Sequence, residues 1–490
     1  MLGENLADIE KLRKLEQIRA MGIDPYPYSY KVSAKSRDIV SDYAGYENRV
    51  VEIAGRLTGM RDMGKLLFFD LLDQSGKIQV LVALSGLDKS AVIIPLLDVG
   101  DIVGVMGRVG KTKKGEISVV AESITLLSKS LSIMPEKFHG LTDTELRYRK
   151  RFLDLIVNYD VREFFLVRSR ILKYFRDFLD NRGYIEFETP VLQHTYGGAN
   201  ATPFKTRYEA LDTDVYLRVA DELYLKRLII GGFERVYEVS KDFRNEDIDS
   251  THNPEFTQIE CYEAYKDYND YMKMTEEMIG GVVKEIFGSY TIEYCGKTLD
   301  FTPPFERVYW VEELKKLSGI DVSKMSDEES ERIAIKEALQ TNVRNAYHVA
   351  DALFDKYIKP RLWNPAFVMD FPQYMCPLTK RCRGNALLSE RFELYVAGKE
   401  EANCYSELTD PVEQKEKFEE QEAERKKGDS EAQPNDKDFL EAIEYGMPPT
   451  AGIGISIDRL SMILTGNASI KEVIAFPAMR PENEKDGQKR

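Results

Sequence analysis

Between residues 231 and 265 the chain reads GGFERVYEVSKDFRNEDIDSTHNPEFTQIECYEAY. FERVYEVS and FTQIECYEAY alternate in polarity as strands do, and the loop between them holds Arg244, Glu246, His252 and Asn253. Strand side chains point alternately to two faces. Phe256, Gln258, Glu260 and Tyr262 therefore share one face, and Thr257, Ile259 and Cys261 the other. Polar groups and two aromatics opposite a more apolar face describe a lined pocket above a covered sheet; an ordinary half-buried strand with a polar outer face has the same pattern. Asn403, Tyr405 and Glu407 in EANCYSEL repeat the two-residue spacing. A guanidinium such as that of Arg244 has a planar fork that fits oxyanions, whereas buried carboxylates discriminate in favour of a cation.

These residues need elements to position them. Residues 5–22 read as an amphipathic helix stopped at Gly22, followed by the turn DPYPYSY. VVEIAGRLTGMR, KLLFFDLLD, KIQVLVA, DIVGVMGRV and EISVVAESITLL are then short β-branched or aromatic runs separated by turns. Five strands in about 80 residues suggest a small closed barrel, with an OB-fold as the natural candidate. After a linker with Pro135 and the basic stretch 147–151, residues 161–182 place Phe164, Phe165, Ile171, Leu172, Phe175, Phe178 and Leu179 on one helical face, with Gly183 as the stop. From 184 onward strands dominate, with helical segments near 268–287 and 326–340. The Glu/Lys-rich stretch 411–438 reads as a solvated helix ending in GDSEAQPND. VGKT at 109–112 matches the end of a P-loop but lacks its first glycine, Val105 standing there, and no helix follows. KMSDE at 324–328 is similarly a coincidence.

With 490 residues the chain exceeds one ordinary core. Its five cysteines have no CxxC spacing and read as reduced thiols of a cytosolic protein, and four histidines argue against zinc. No apolar run reaches the roughly 18 to 20 residues that span a bilayer, and the charged N-terminus has no signal-peptide core. A net charge of −15 excludes indiscriminate coating of nucleic acid but leaves room for a local basic face or base stacking.

FRNE followed by THNPEFT closely resembles motif 2 of class II aminoacyl-tRNA synthetases, in its lysine-type version. RGYIEFETPVL (182–192) looks like motif 1, with Pro190 at the dimer contact. The run from Gly197 through YLRVADELYLKRLIIGGFERVYE is similar to the lysine-enzyme signature, and PPTAGIGISIDRLSMIL with FPAMRP (448–481) looks like motif 3. The resemblance covers essentially the whole chain. It implies an α+β multidomain protein: an N-terminal OB-fold β-barrel plus a class II synthetase catalytic domain, an antiparallel β-sheet flanked by helices. The expected divisions are a helical extension (1–48), an anticodon-binding barrel (49–130), a linker (131–150) and the catalytic domain (151–490).

By this resemblance, the activity is ATP-dependent activation of L-lysine and its transfer to tRNA(Lys), in the cytoplasm, by a homodimer binding neither membrane nor DNA. Arg244 bridges the amino-acid carboxylate and the α-phosphate, while Arg459 meets the γ-phosphate and covers the adenine. Phe256 stacks the adenine's other face, and Glu246, His252 and Asn253 hold the nucleotide. Glu393 and Glu400 resemble the carboxylates that hold Mg²⁺ on ATP, as hard oxygen ligands do. Glu407 and Tyr262 take the substrate's ε-ammonium, and Glu222 and the Gly198 carbonyl its α-amino group. Glu260, Asn403 and Tyr405 complete that pocket. In the barrel Phe68, Gln79 and Glu122 match anticodon-reading positions, and Arg56, Lys111, Lys113 and Lys114 suit phosphates. Two departures stand out: Ser456 where glycine is usual in motif 3, with a side chain that alters ATP fit, and Asp247 where glycine follows FRNE. An aspartyl- or asparaginyl-type enzyme, or a relative that lysylates a protein, is the alternative.

Overall fold

The computed structural model describes residues 8–134, 141–339, 341, 345–426 and 433–481. The chain falls into two compact units, Met1–Gly140 and Leu141–Arg490. Pro135 and part of the GDSEAQPND loop lie outside the described residues.

In the first unit, strands β1 (Val50–Asp62), β2 (Leu66–Leu72), β3 (Lys77–Ala83), β4 (Ile102–Lys111) and β5 (Ile117–Ser128) close a barrel in the order β1-β2-β3-β5-β4. The five runs of alternating residues are these five strands. Their inward residues, among them Val51, Ile53, Phe69, Leu71, Val80, Val105 and Val119, form one fully buried core. Each such side chain contributes about 1.5–3 kcal/mol by leaving water. VGKT sits in the β4–β5 hairpin, whose turn is closed by the Thr112 N–H donating to the Glu116 carbonyl at 2.9 Å, so it is strand-turn-strand as its sequence indicates. Helix α1 (Ile9–Ala20) is capped by Asp8, which accepts from the Glu10 N–H, and buries Leu15 and Ile18. Gly22 follows with φ +73°.

The second unit is built on a sheet whose path is β9-β10-β11-β12-β13-β8-β7-β6: β6 (Ile185–Glu186), β7 (Arg235–Phe243), β8 (Glu255–Ala264), β9 (Glu306–Tyr309), β10 (Ala366–Pro372), β11 (Asn385–Val396), β12 (Lys399–Ser406) and β13 (Thr450–Ser456). Only the outer pairs β6–β7 and β9–β10 are parallel. One face is covered by α2 (Val161–Asp180), α4 (Tyr268–Phe287) and α10 (Ile457–Leu464), which bury Ile171, Phe175, Ile279, Val283, Leu460 and Ile463 against Ile259, Cys261, Cys404 and Ile453. The opposite face stays open as the pocket floor, bordered by α3 (Glu222–Ile230), against which α9 (Lys437–Glu444) packs through Phe439 and Ile443.

Two sequence expectations change. On α2 the buried stripe is Val161, Val167, Ile171, Phe175, Phe178 and Leu179; Phe164 and Phe165 are only half-buried, the latter lying 5.7 Å from the Arg151 guanidinium. Beyond 300, helices α5 (Trp310–Ser318), α6 (Asp327–Lys336) and α7 (Ala346–Tyr357) form a satellite core that the sequence reading reduced to one helical segment. Within it, Ser326 of KMSDE is an N-cap accepting from the Glu329 N–H at 3.2 Å, which gives that motif a structural reason. Helix α8 (Pro411–Lys426) is the solvated helix expected there.

Candidate active site

A cavity of about 370 Å³ opens over β8, β11, β12 and β13. The alternation along β8 is as its sequence requires: Phe256, Gln258, Glu260 and Tyr262 line the cavity, while Ile259 and Cys261 enter the core beneath. Glu260 accepts from Gln258 Nε2 at 2.7 Å and from the Tyr262 hydroxyl at 2.8 Å, so each of its oxygens is held.

The loop between β7 and β8 closes when the Arg244 N–H donates to the Pro254 carbonyl at 2.9 Å. That puts the Arg244 guanidinium 5.0 Å from the Phe256 ring centroid, over one face of the ring. Glu246 accepts the Thr202 N–H at 3.2 Å. Asn253 donates to the Glu255 carbonyl and accepts the Ala478 N–H, so it staples the loop to the chain after α10. His252 meets Arg459: Nε2 and Nη2 stand 3.2 Å apart. Arg459 also donates to the Glu400 carbonyl at 2.7 Å, with the Glu400 carboxylate at 3.5 Å.

Ser456, the last residue of β13, has a second role. It lines the cavity, but as the N-cap of α10, its hydroxyl accepting the Arg459 N–H at 3.2 Å. An N-cap hydroxyl satisfies a helix donor that glycine leaves free, so this departure supports the helix that carries Arg459. Asp247 lies on the cavity rim outside the left-handed backbone region, so no glycine is needed there.

Glu393 is buried, accepts from Arg391 Nη2 at 2.5 Å and from the Tyr395 hydroxyl at 2.9 Å, and is pushed up to about 7 by burial and then by Glu400. Two repelling carboxylates with hard oxygens are a donor set suited to a divalent cation, which would relieve that repulsion. Asp351 and Tyr347 of α7 line the same end; sequence reading missed them because α7 itself was missed. Arg391 was also passed over, although it stands two residues before Glu393 on one strand face, a spacing that could have shown it.

At the opposite end Gly198 has φ +89°, and a Cβ there would stand 3.0 Å from the Glu222 side chain. Glu222 accepts from the Tyr405 hydroxyl at 2.6 Å. Asn403 accepts from Arg391 Nε at 3.0 Å. Glu407 is fully buried; it lies below the cavity wall beside Gly452 and the Tyr262 ring and is ion-paired with Lys226 of α3, which also pairs with Glu222. Lys226 had no signal in strand periodicity. Behind Glu260 lie Asp221 and Asp242, carboxylate oxygens of all three standing within 4.8 Å of one another. Glu260 is pushed up to about 8 by burial, then Glu222 and Asp242, and burial likewise raises Asp242 to about 6.

In the barrel, Phe69 takes the core position and Phe68 stands half-buried on the other side of β2. Asp70 pairs across to Gln79, so Phe68 and Gln79 share the outward face; Gln79 is fixed by the Ser118 hydroxyl at 2.9 Å. Glu122 sits at a bulge of β5, 3.6 Å from Arg108. Arg56 donates to the Gly100 carbonyl at 2.7 Å and the Lys111 ammonium lies 4.3 Å from the Tyr43 ring centroid, so both are engaged within the unit. Lys113 and Lys114 are exposed at the hairpin turn.

Residues 143–480 match the family model described as tRNA synthetases class II (D, K and N), and residues 51–127 the OB-fold nucleic acid binding domain. The chain is similar to a lysine–tRNA ligase 2 of Methanosarcina acetivorans, 48% identical over 98% of this chain and 96% of that one. It is 46% identical to the lysine–tRNA ligase of Pelotomaculum thermopropionicum, over 98% and 96%. The same identity holds for the enzyme of Clostridium perfringens, over 98% and 97%.

Proposed function

This chain belongs to the class II aminoacyl-tRNA synthetases of the aspartate, lysine and asparagine group, and from that premise we propose the following division of labour in its cavity. The enzyme activates L-lysine with ATP to lysyl-adenylate and transfers the lysyl group to the 3′ end of tRNA(Lys). In the first step a carboxylate oxygen of lysine bonds to the α-phosphorus as the bond to pyrophosphate breaks. Two anions approach each other, so fixed cations must meet the developing charge. Arg244 clamps the lysine carboxylate and the α-phosphate, and Arg459 the far end of the triphosphate. Phe256 stacks the adenine, beside Glu246, His252 and Asn253. Glu393 and Glu400 would hold Mg²⁺, which supplies further charge neutralisation on the phosphates.

At the lysine end, Glu222 and the Gly198 carbonyl take the α-ammonium. Glu407 and Tyr262 take the ε-ammonium, with Glu260, Asn403 and Tyr405 around them. The observation that carries the reading is the polarity of one cavity: Arg244 and Arg459 at one end, Glu222 and Glu260 at the other, with Glu407 buried behind that wall. A neutral or acidic side chain would leave buried carboxylates unpaired. An aspartate-type enzyme would need a cation free to face its substrate, and Lys226 is tied to two glutamates. ATP–pyrophosphate exchange with lysine and with aspartate tests this; exchange with aspartate alone would overturn it.

The barrel of residues 49–130 reads the anticodon through Phe68, Gln79 and Glu122, supported by Lys113 and Lys114 at the phosphates. Its presence favours tRNA over a protein acceptor. A homodimer fits the edge strand β6 and the segment that follows it, where Ile185, Val191 and Leu192 stand exposed. Cytoplasmic placement accords with unpaired cysteines; no helix among the described residues is long and apolar enough to cross a membrane.

A further inference from the structure

Resting on the lysine reading and deepening it, we propose that Lys226 is a specificity-determining positioning residue. Its buried ammonium is the fixed counter-ion that holds Glu222 and Glu407 apart and sets the orientation in which they meet the two ammonium groups of the substrate.

Lys226 lies one turn after Glu222 on α3 and is 1% exposed; Glu222 and Glu407 are 4% and 0% exposed. Its Nζ pairs with Oε1 of Glu222 and Oε2 of Glu407, joining residues that come from a helix and from the end of β12. The second oxygen of each carboxylate turns to a glycine of the cavity wall. Oε2 of Glu222 is 3.7 Å from the place a Cβ would take on Gly198, and Oε1 of Glu407 is 2.6 Å from that place on Gly452. Lys226 thus takes one oxygen of each pair; the other, which on Glu222 also accepts from the Tyr405 hydroxyl at 2.6 Å, is left toward the cavity wall. Its ammonium lies 5.4 Å from the Tyr405 ring centroid and 5.9 Å from that of Phe439, and these rings confine it to one place.

Charge explains why the position requires a cation. Glu407 faces Glu222 and Lys226 from α3, Glu260 and Tyr262 from β8, and Tyr405 and Cys404 from its own strand. Among these, Lys226 is the only cation. Burial pushes the Glu407 carboxyl up, Lys226 pulls it down, and Glu222 and Glu260 push it up further; without Lys226 nothing among these groups opposes burial and repulsion, and a proton on one of the pair is favoured. A protonated carboxyl no longer pairs with an ammonium. A lysine that merely tied the core together would have no reason to hold the two carboxylates that frame the substrate.

The test uses the full-length enzyme and its Lys226→Met and Lys226→Arg variants in ATP–pyrophosphate exchange, with KM for lysine and for ATP measured separately between about pH 6.5 and 8.5. In Lys226→Met the KM for lysine is expected to rise about tenfold or more at the lower pH while that for ATP stays within about twofold. This defect, as a ratio to the parent, shrinks toward the higher pH as the added proton leaves. Lys226→Arg keeps the charge but not the shape, so its lysine KM rises about threefold, by the same ratio across the range. An unchanged lysine KM in Lys226→Met, or a loss shared equally by ATP and lysine and indifferent to pH, overturns the inference. If Lys226→Met does not fold, judged by circular dichroism, Lys226→Arg decides: a selective rise in lysine KM supports the role, and parental constants overturn it. A parent enzyme with no lysine-dependent exchange would sink the lysine reading itself, so the two failures are distinguishable.

Discussion

The carboxylate of Asp458 accepts a hydrogen bond at 2.7 Å from the main-chain N–H of Thr257, 201 residues earlier in the chain. It also forms an ion pair with Arg168 of α2. One buried side chain therefore joins the start of the helix that carries Arg459 to the strand that follows the Arg244 loop. Asp458→Ala leaves Arg168 without its counter-charge and is expected to cost about 3–5 kcal/mol of stability. Urea unfolding of the parent and variant measures it; a difference below about 1 kcal/mol, typical of exposed pairs, would show that this joint carries little.

Arg244→Ala removes the guanidinium assigned to the reacting carboxylate and α-phosphate. Since Arg244 is half-buried with its main chain holding the loop, the fold should survive. Pyrophosphate exchange should fall by about 10²–10³ or more, the scale of a lost transition-state donor. Exchange at the parental rate would contradict the assigned role.

Gly452→Ala asks for space that is already filled. The new Cβ would stand 2.2 Å from the Tyr262 ring and 2.6 Å from Glu407 Oε1, so both must shift. A misfit of one methyl is worth about 10- to 200-fold in discrimination, and the effect should fall on KM for lysine while KM for ATP holds. Equal damage to both substrates would place the lysine end elsewhere.

Burial, then Glu222 and Asp242, push Glu260 up to about 8, which favours its protonated form at neutral pH. An incoming ammonium favours its ionised form, so lysine binding near pH 7 should release up to about one proton, falling toward none above about pH 9. Calorimetry in two buffers of different ionisation heat reads this directly. The same raised value means that this group's stabilisation of the fold is complete below the ordinary carboxylate range and is lost as pH climbs through about 8. Lysine binding with no proton release at pH 7 would mean Glu260 is already ionised.

Phe68→Ala should weaken tRNA charging by about 1–3 kcal/mol, the worth of one stacked base, and spare pyrophosphate exchange. Phe69→Ala, one residue on but in the barrel core, should instead destabilise the barrel by about 3–5 kcal/mol. Charging unaffected by loss of Phe68 would remove it from anticodon reading.

The barrel strands and the lined face of β8 were legible because strand periodicity is a local property: a side chain's face follows from its position modulo two. Helices α5 and α7 were less so. Their apolar residues, such as Trp310, Val349 and Leu353, face a satellite core whose partners lie on β10 and β11. Val161 and Val167 took the buried stripe of α2 from Phe164 and Phe165 because packing against the sheet, not size, chose the face.

What the sequence determined by itself was the chemistry on offer: the arginines, the paired glutamates, the alternating pocket strand and the order of elements that brings them together. Only the tertiary structure decided which carboxylates are free and which are spoken for. Lys226 reaches Glu407 across 181 residues of chain, and Ser456 proves to be a cap only once α10 is seen to start beside it. Charge partners and burial depend on distances between segments remote in sequence, and these are set by how helices and strands pack rather than by any local pattern.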